Sequence, residues 1–349
     1  MVPLERSGLG ALKVAVGAVL LAAGAGGLLL LAGGYDPFGA ARAAFVGAFG
    51  STDALLSITL VRTVPLVLTG LAVAFAFRAG VWNIGAEGQL LAGAIAAAWI
   101  GLAGRALPSW LLVPGLLALA ACAGALWALI PALLKLRLGV GEVITTLLMS
   151  FVALHFTAWL LHGPLQEPRG VFPQTDAIVE GARLPVLVPG TRLHAGAVLA
   201  VLVAIAIAWL FARARLGFRM RAVGSSRQAA RIAGRIDTDP IVLWAFLGSG
   251  ALAGLAGGVQ VAGVTYALYE GFSPGWGYTA IAVALLAALD PLWVIPAALL
   301  FGSLEAGAAA MQRDAGVPAA WAMALQGLVI LAVLALDRLR RRVRGGARV

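Results

Sequence analysis

Long stretches without a charged residue recur along the chain, and they limit what it can fold into. Charged residues make up only 11% of the 349 positions, against about 25% in soluble globular domains. Six stretches reach the ~20 residues that cross a bilayer as a helix: 14–34, 106–134, 143–166, 193–212, 240–269 and 315–336. The chain is therefore predicted to be an all-α, polytopic membrane protein.

Ten membrane segments fit the hydropathy pattern, and together they predict a single transmembrane domain over residues 1–349. The uncharged stretch 14–34 follows Lys13 and exceeds the roughly 7–15 apolar residues of a signal-peptide core, so we interpret the first segment as a retained span. The predicted segments are 12–32, 54–77, 84–104, 110–134, 142–161, 193–212, 241–264, 278–289, 291–311 and 320–337.

The basic residues are distributed as the positive-inside rule expects for a protein with both termini in the cytoplasm. Seven arginines lie in 213–235 and six in 338–348, so 13 of the 25 basic residues occupy two short segments. The other predicted inner loops carry Arg78, Lys135 and Arg137. The net charge of +10 does not indicate nucleic-acid binding, because no soluble domain is predicted to display a basic face.

The eighth segment is too short to cross a membrane as a straight helix. Its 12 residues, 278–289, correspond to about 18 Å of helix, whereas the hydrocarbon core is about 30 Å thick. Asp290 and Pro291 then interrupt the chain. This pattern predicts a half-helix of the kind that lines a cavity in transporters, with two ordinary tilted spans as the alternative.

Polar residues are concentrated where the third segment begins. Asn83, Glu87 and Gln89 stand among three glycines within 80–89. An ionisable group at a membrane segment is a candidate functional residue, so we place these three side chains on a translocation pathway. The alternative is that Glu87 only stabilises the helix N-terminus through the helix dipole.

The fifth segment opens with a second polar group. Glu142 stands at its first turn and is followed by Thr145 and Thr146. The two hydroxyls could line a polar path, or they could satisfy backbone carbonyls while Glu142 caps the helix. We include all three among the pathway candidates and favour capping for Glu142 itself.

Four isolated polar residues within apolar segments complete the predicted pathway: Arg62, Gln260, Tyr278 and Glu305. Ionisable residues inside membrane segments mark pathways by default, and a carboxylate as deep as Glu305 needs a partner or water. The alternatives are that Arg62 snorkels to the interface and that Tyr278 belongs to the aromatic belt.

Metal or thiol chemistry is not expected of this chain. Cys122 is the single cysteine, so neither an internal disulfide nor a cysteine-based metal site can form. His155 and His162 share a helical face, but the H-E-x-x-H motif of a zinc enzyme is missing. We expect no catalytic residue and no cofactor bound by the chain itself.

The arginine-rich loop 213–239 is predicted to contain a short amphipathic helix. Ser225 or Ser226 can cap such a helix, the alanines that follow favour it, and Gly234 can end it. The helix could bind a partner protein, or it could lie against anionic lipid headgroups, which attract arginine.

At these places the chain resembles the permease subunits of bacterial ATP-binding-cassette importers for nucleosides and simple sugars. The resemblance covers most of the chain and is carried by the stretch 70–75 running into 83–89, by 142–146, by Ala229-Ala230-Arg231 in the arginine loop, and by 280–286. The strings NIGAEGQ at 83–89 and EVITT at 142–146 are more similar to the nucleoside branch than to the ribose branch.

The resemblance implies a transport subunit of a bacterial inner membrane that works with several partners. These are a cytoplasmic ATPase that uses Mg-ATP, a second permease, either identical or different, and an extracytoplasmic substrate-binding lipoprotein. The solute implied is a nucleoside or a related ribose-like molecule. Loop 213–239 would be the coupling loop and 225–234 its coupling helix, with the ATPase contacts made by Arg219, Arg221, Ser225, Arg227, Ala229, Ala230, Arg231 and Gly234.

The lysines are consistent with an ATPase on a separate subunit. The P-loop motif needs a lysine after a glycine, whereas Lys13 and Lys135, the only two lysines, both follow leucine. The energy must come from a partner or from an ion gradient. Two alternatives stay open: a monosaccharide permease, and an ion-coupled secondary transporter with Glu87, Glu142 or Glu305 as its proton site.

Overall fold

The computed structural model describes residues 24–104, 107–232 and 234–318, with single positions beyond them at 17, 20, 21, 321, 324, 327, 328, 331, 332 and 335. In this part of the chain the fold is all-helical, as predicted, with two isolated β-bridges between loop residues. The helices are α1 (Pro37–Phe49), α2 (Ala54–Arg78), α3 (Ala86–Ala103), α4 (Ser109–Leu138), α5 (Glu142–Leu161), α6 (Gly196–Arg213), α7 (Arg215–Ser225), α8 (Arg227–Ile232), α9 (Thr238–Thr265), α10 (Trp276–Leu286) and α11 (Pro291–Asp314).

Seven of the described helices are long and apolar enough to cross a membrane: α2, α3, α4, α5, α6, α9 and α11. Each begins and ends within four residues of a predicted segment. The predicted segments 12–32 and 320–337 lie largely outside the described residues, although 24–32 is helical. The structure therefore supports a multi-pass membrane protein and leaves the count of ten as a prediction.

The short eighth segment is the helix α10, which has only 11 residues. It starts after Gly275, whose φ of 96° requires glycine, because other residues rarely adopt this region. It stops where Ala288 turns into the left-handed region with φ 54°. Asp290 then caps α11 by accepting a hydrogen bond from the backbone N–H of Leu292 at 2.9 Å, so the break between the two helices is built by local sequence.

The helix α1 was not predicted, because Arg42 near its middle interrupts the apolar stretch. Its 13 residues follow Asp36, whose carboxylate accepts hydrogen bonds from the N–H groups of Phe38 and Gly39 at 3.0 and 2.9 Å. The Asp36-Pro37 pair is a helix-start signal that a search by length overlooks. The helix packs against α11, where Gly47 leaves no room for a side chain beside Ala310.

The bundle has α2, α3 and α9 at its centre. In the most apolar 18-residue stretch of each of these helices, 83%, 67% and 67% of the residues are buried, against 33%, 28% and 22% in α4, α5 and α6. The centre packs through glycines, as small residues let helices approach closely in membranes. A Cβ atom on Gly93 would overlap the backbone of Gly254, and one on Gly254 would overlap the carbonyl oxygen of Ala120.

One end of the bundle is closed by the long connection between α5 and α6. Its backbone N–H groups at Ile178 and Leu184 donate to the carbonyls of Tyr266 and Ala262 at 2.7 and 2.8 Å, at the end of α9. The guanidinium of Arg183 lies 4.7 Å from the ring centroid of Tyr266. This connection is thus an ordered cap and not a separate domain.

Candidate functional site

The backbone between α2 and α3 is not helical and runs through buried surroundings. Asn83, in the middle of this break, is fully buried. Its Oδ1 accepts a hydrogen bond from the N–H of Gly85 at 3.0 Å, and its Nδ2 donates to the hydroxyl of Ser249 on α9 at 2.9 Å. The amides of Asn83 and Gln89 also exchange two hydrogen bonds, of 3.0 and 3.1 Å. Irregular backbone inside a membrane protein needs such internal partners.

The polar face of α5 supports the same break from the other side. Thr146 accepts a hydrogen bond from the N–H of Ile84 at 3.1 Å and donates to the carbonyl of Glu142 at 2.7 Å. Ser150, which sequence reasoning missed, accepts from the N–H of Gly88 at 3.2 Å. Thr145 donates to carbonyls in its own helix at 3.2 Å. Thr146 and Ser150 therefore lie in the interface between α3 and α5, whereas Thr145 is buried and bonds within its own helix.

Glu87 reaches across to the start of the half-helix α10. Its carboxylate accepts a hydrogen bond from the N–H of Gly277 at 2.6 Å and another from the hydroxyl of Ser273. Gly277 is needed there, because a Cβ atom would overlap the backbone of Glu87. The side chain is buried, and it interacts with the N-terminal ends of α3 and α10 together, which suits its negative charge.

Arg62 and Glu305 form an ion pair between α2 and α11. The Nη1 atom of Arg62 lies 3.8 Å from Oε2 of Glu305, and the indole N–H of Trp276 donates to the same oxygen at 3.2 Å. The structure thus supplies the partner that a deep carboxylate needs. The side chain of Glu305 is 10% exposed and that of Arg62 is 37% exposed, so the pair reaches the surface of the chain through Arg62.

The half-helix α10 brings most of the predicted pathway residues together. Its first turn carries Trp276 on the side of Glu305, whereas Tyr278 faces α5, where its hydroxyl hydrogen-bonds to Ser150. Gln260 lies apart from both groups, buried near the end of α9. The predicted residues therefore form two adjoining clusters around the start of α10 rather than one continuous lining.

Glu142 pairs with Lys135 across the turn between α4 and α5. It also accepts a hydrogen bond from the backbone N–H of Trp82, which ties this turn to the break before α3. Gly139, with φ 67°, ends α4 there. The contacts of Glu142 are those of a residue that fixes the start of a helix.

The arginine loop folds into two helices, α7 and the six-residue α8. Ser226 caps α8 by accepting a hydrogen bond from the N–H of Ala229 at 3.2 Å, while Ser225 donates to the carbonyl of Arg221 at 2.9 Å. The helix ends at Ile232, two residues before Gly234. Of the residues predicted to contact a partner, Ala230 is buried against the rest of the loop, whereas Ser225, Ala229 and Gly234 are exposed, as are Arg219, Arg227 and Arg231.

The loop is fixed to the bundle near the ends of α2, α6 and α10. A Cβ atom on Gly224 would overlap the carbonyl oxygen of Arg78. Arg78 itself donates from Nε to the carbonyl of Leu289 at 3.2 Å, and its guanidinium lies 5.3 Å from the ring centroid of Phe211. Arg221 hydrogen-bonds to the carbonyl of Phe211. The loop therefore contacts the ends of α2 and α6 directly and the end of α10 through Arg78.

A cavity of about 960 Å³ lies between α7, α8 and the start of α9. Phe218, which lines the cavity, is 61% exposed, and Ile232 at the end of α8 is 72% exposed. Exposed apolar residues ringed by charge are typical of a protein interaction site. The surrounding exposed cations are Arg213, Arg215, Arg219, Arg227, Arg231 and Arg235.

The histidines do not form a metal site in the part of the chain that the structure describes, where no group of three potential ligands occurs. His162 Nε2 lies 3.1 Å from the carboxylate of Glu270. His194 is buried between Gly196 and Gly263, and its Nδ1 accepts a hydrogen bond from the N–H of Gly196 at 3.2 Å. Burial, together with the nearby charge of Arg192, lowers the pKa of His194 to about 4.

Comparison with known proteins identifies a family for this architecture. Residues 55–334 match the family described as the branched-chain amino acid transport system / permease component. The chain is 41% identical over 334 residues to a glucose ABC transporter permease protein of Haloferax volcanii, covering 93% of this chain and 87% of that protein. No solved structure matches the chain.

Two further relatives are named for nucleosides. The chain is 38% identical over 322 residues to a guanosine ABC transporter permease protein of Bacillus subtilis, covering 90% of this chain and 91% of that protein. It is 32% identical over 302 residues to a nucleoside ABC transporter permease protein of Lactococcus lactis subsp. cremoris, covering 84% and 82%.

Proposed function

The chain belongs to the family of branched-chain amino acid transport system permease components, and from that premise we propose that it carries a nucleoside or a related ribose-like solute into the cytoplasm. Its relatives are permease subunits of ABC transporters and not enzymes. The chain is accordingly a multi-pass permease subunit. The choice of solute rests on two of these relatives, the guanosine and nucleoside permeases, which match 90% and 84% of the chain, together with the nucleoside-like strings at 83–89 and 142–146.

A monosaccharide is the second candidate solute, because the glucose permease relative is 41% identical. Both kinds of solute are uncharged and rich in hydroxyl groups. Uptake separates them: the uptake of a radiolabelled nucleoside and of radiolabelled glucose is measured in cells with and without the overproduced complete transporter. The proposal expects overproduction to raise nucleoside uptake alone, and a rise in glucose uptake alone would make the monosaccharide the solute.

The surface formed by α7, α8 and the cavity beside them is the proposed docking site of a cytoplasmic ATPase that hydrolyses Mg-ATP. Apolar Phe218 and Ile232 would enter the interface, and the surrounding arginines favour an acidic partner surface. Attachment of the loop to Arg78 and Phe211 gives ATP-driven motion a route to α2, α6 and α10. Loop 213–239 thus acts as the coupling loop.

The proposed topology has ten membrane segments and both termini in the cytoplasm of a bacterial inner membrane. The C-terminal end of α2 contacts the arginine loop through Gly80 and Gly224, so both stand on one side, and the positive-inside rule assigns that side to the cytoplasm. The connection between α5 and α6 then faces outward. There it would receive a substrate-binding lipoprotein, and a second permease would complete the path.

The partners can be tested by purifying the detergent-solubilised chain from its native membrane and identifying bound proteins by mass spectrometry. The proposal expects an ATPase with a P-loop, together with a lipoprotein or a second permease. A chain that purifies alone and transports in liposomes without ATP would instead support an ion-coupled transporter, with Glu87, Glu142 or Glu305 as the proton site.

A further inference from the structure

Arg62 and Glu305 are unusual among the charged residues of the seven described candidate spans. They are the two that lie more than five residues from a helix end. Arg62 is preceded by eight residues of α2, and Glu305 is followed by nine residues of α11. A charge so far inside a membrane helix is costly unless it faces a partner or water.

The depth of the pair follows from the positions of the two helices. Arg62 precedes Arg78 by 16 residues and Glu305 follows Pro291 by 14, which correspond to about 24 and 21 Å of helix. Arg78, at the end of α2, donates to the carbonyl of Leu289, just before α11 begins. Both distances are therefore counted from the same end of the bundle. The pair therefore lies well beyond the middle of a hydrocarbon core about 30 Å thick, yet within both helices.

The ion pair is unequally buried. Trp276 and Arg62 both contact the Oε2 atom of Glu305, and the carboxylate side chain is only 10% exposed. Arg62, in contrast, leaves 37% of its side chain uncovered. Lipid tails do not solvate an exposed guanidinium. Because Arg62 lies about 6 Å from the nearer edge of a core about 30 Å thick, its uncovered part must meet water inside the bundle or snorkel to that interface.

We infer that Arg62 lines a water-filled section of the solute path in the half of the membrane away from the arginine loop, and that its pairing with Glu305 keeps this section electrically neutral, so that uncharged solutes pass. The inference rests on the proposed function for the nature of the solute. Trp276 acts as a positioning residue, since its indole holds Glu305 against the start of α10. The path at this level is bordered by α2, α10 and α11.

Thiol labelling tests whether Arg62 faces water. In a Cys122→Ala background, single cysteines are introduced as Arg62→Cys, as Ile58→Cys four residues earlier in α2, and as Val201→Cys on the apolar exposed face of α6, where it lies about as close to the start of its helix as Ile58 does. Ile58→Cys leaves the ion pair intact, so the test holds even if Arg62→Cys does not fold. The assembled transporter in liposomes is treated with a trimethylammonium methanethiosulfonate, which does not cross membranes.

The expected result is labelling of the Ile58→Cys and Arg62→Cys variants at least about tenfold faster than of Val201→Cys, because a thiol surrounded by hydrocarbon does not ionise readily. Labelling of Ile58→Cys as slow as that of Val201→Cys would overturn the inference. Labelling is measured without solute, so this result does not depend on whether the transporter carries nucleosides. Fast labelling in a transporter that does not carry nucleosides would refute the proposed function and leave the inference standing.

Charge neutrality has its own test in three variants. Arg62→Gln and Glu305→Gln each leave one charge unpaired, and each is expected to slow nucleoside uptake at least about tenfold. The double variant removes both charges and is expected to recover uptake to within about threefold of the parent. A double variant no faster than the slower single variant, at equal amounts of assembled complex, would contradict the role of neutrality.

Discussion

At the scale of single residues, a group of polar side chains inside the bundle stabilises the non-helical break between α2 and α3. Asn83, Gln89, Thr146 and Ser150 all bond within or beside the break before α3. Polar groups buried in this way stabilise a unique arrangement, because each lost partner leaves a donor or acceptor unsatisfied. The break is therefore as specifically built as the helices around it.

Asn83 is the residue whose loss should affect this arrangement most. Asn83→Leu removes the partners of Gly85, Gln89 and Ser249 together, at an expected cost of about 1–3 kcal/mol for each group left unsatisfied. We expect a clear fall in the thermal unfolding midpoint of the detergent-solubilised protein. Gln228→Leu, at an exposed position of α8, is the control, and equal midpoints for the two variants would contradict the structural role of Asn83.

His194 predicts a pH dependence of stability. Because its pKa is about 4 in the folded chain and about 6.5 when unfolded, the unfolded state binds a proton first as the pH falls. Its contribution is complete above about pH 6.5 and is lost progressively toward pH 4. The thermal midpoint should fall over this range, and His194→Gln should reduce the fall. His155→Gln, at an exposed site, should leave it unchanged, and the same fall in all three proteins would refute the assignment.

At the scale of helices, close approach at glycines explains why α9 lies at the centre of the bundle and how the arginine loop is attached to it. Gly254 of α9 meets both α3 and α4 where a side chain would overlap backbone atoms. The arginine loop meets the bundle in the same manner through Gly224. In a membrane, where burial of apolar surface does not drive helices together, such packing is a main source of association.

Gly254→Ala should therefore loosen the centre of the bundle. The added methyl group would overlap the carbonyl oxygen of Ala120 and crowd Gly124, and overpacking of this kind costs about 1–3 kcal/mol. Gly115→Ala in α4 is the matched control, because nothing lies within 4 Å of its Cβ position. We expect the first variant to lower the thermal midpoint and the second to leave it equal or raise it, since alanine is the better helix former. A Gly254→Ala protein as stable as Gly115→Ala would contradict the packing.

The proposed docking site for the ATPase is best tested at exposed positions. Ala230 is buried, so Ala230→Asp would disturb the loop itself, whereas Arg227→Glu and Arg231→Glu change only exposed charges. We expect these two variants to assemble poorly with the ATPase and to lose solute-stimulated ATP hydrolysis. Arg169→Glu, exposed at the opposite end, should keep both. Normal stimulation in both Arg227→Glu and Arg231→Glu would show that the ATPase docks elsewhere.

At the scale of the whole molecule, the sequence predicted what depends on local composition. Seven spans were placed within four residues, because a bilayer demands long apolar stretches wherever the chain crosses it. The short α10 was expected as well, since its length and the following Asp290-Pro291 are local features. The helix α1 was missed, because Arg42 interrupts its apolar stretch.

Contacts between distant segments could not be predicted from the sequence. Glu87 was a candidate from its position, yet its partner Gly277 lies 190 residues away and carries no signal of its own. The same holds for the pairing of Arg62 with Glu305 and Trp276. A helical pattern shows on which face of its helix a residue lies, but not which other helix packs against that face. The sequence could therefore indicate candidate pathway residues, but it could not predict that they group around α10.

The central claim is that this permease imports a nucleoside with energy from a separate ATPase. It is tested most directly by reconstituting the chain with its ATPase, second permease and binding protein in liposomes, and by measuring uptake of a radiolabelled nucleoside with and without ATP. We predict saturable uptake that requires ATP, continues in the presence of a protonophore and is unaffected by glucose. Uptake that proceeds without ATP and stops when the proton gradient collapses would contradict the claim.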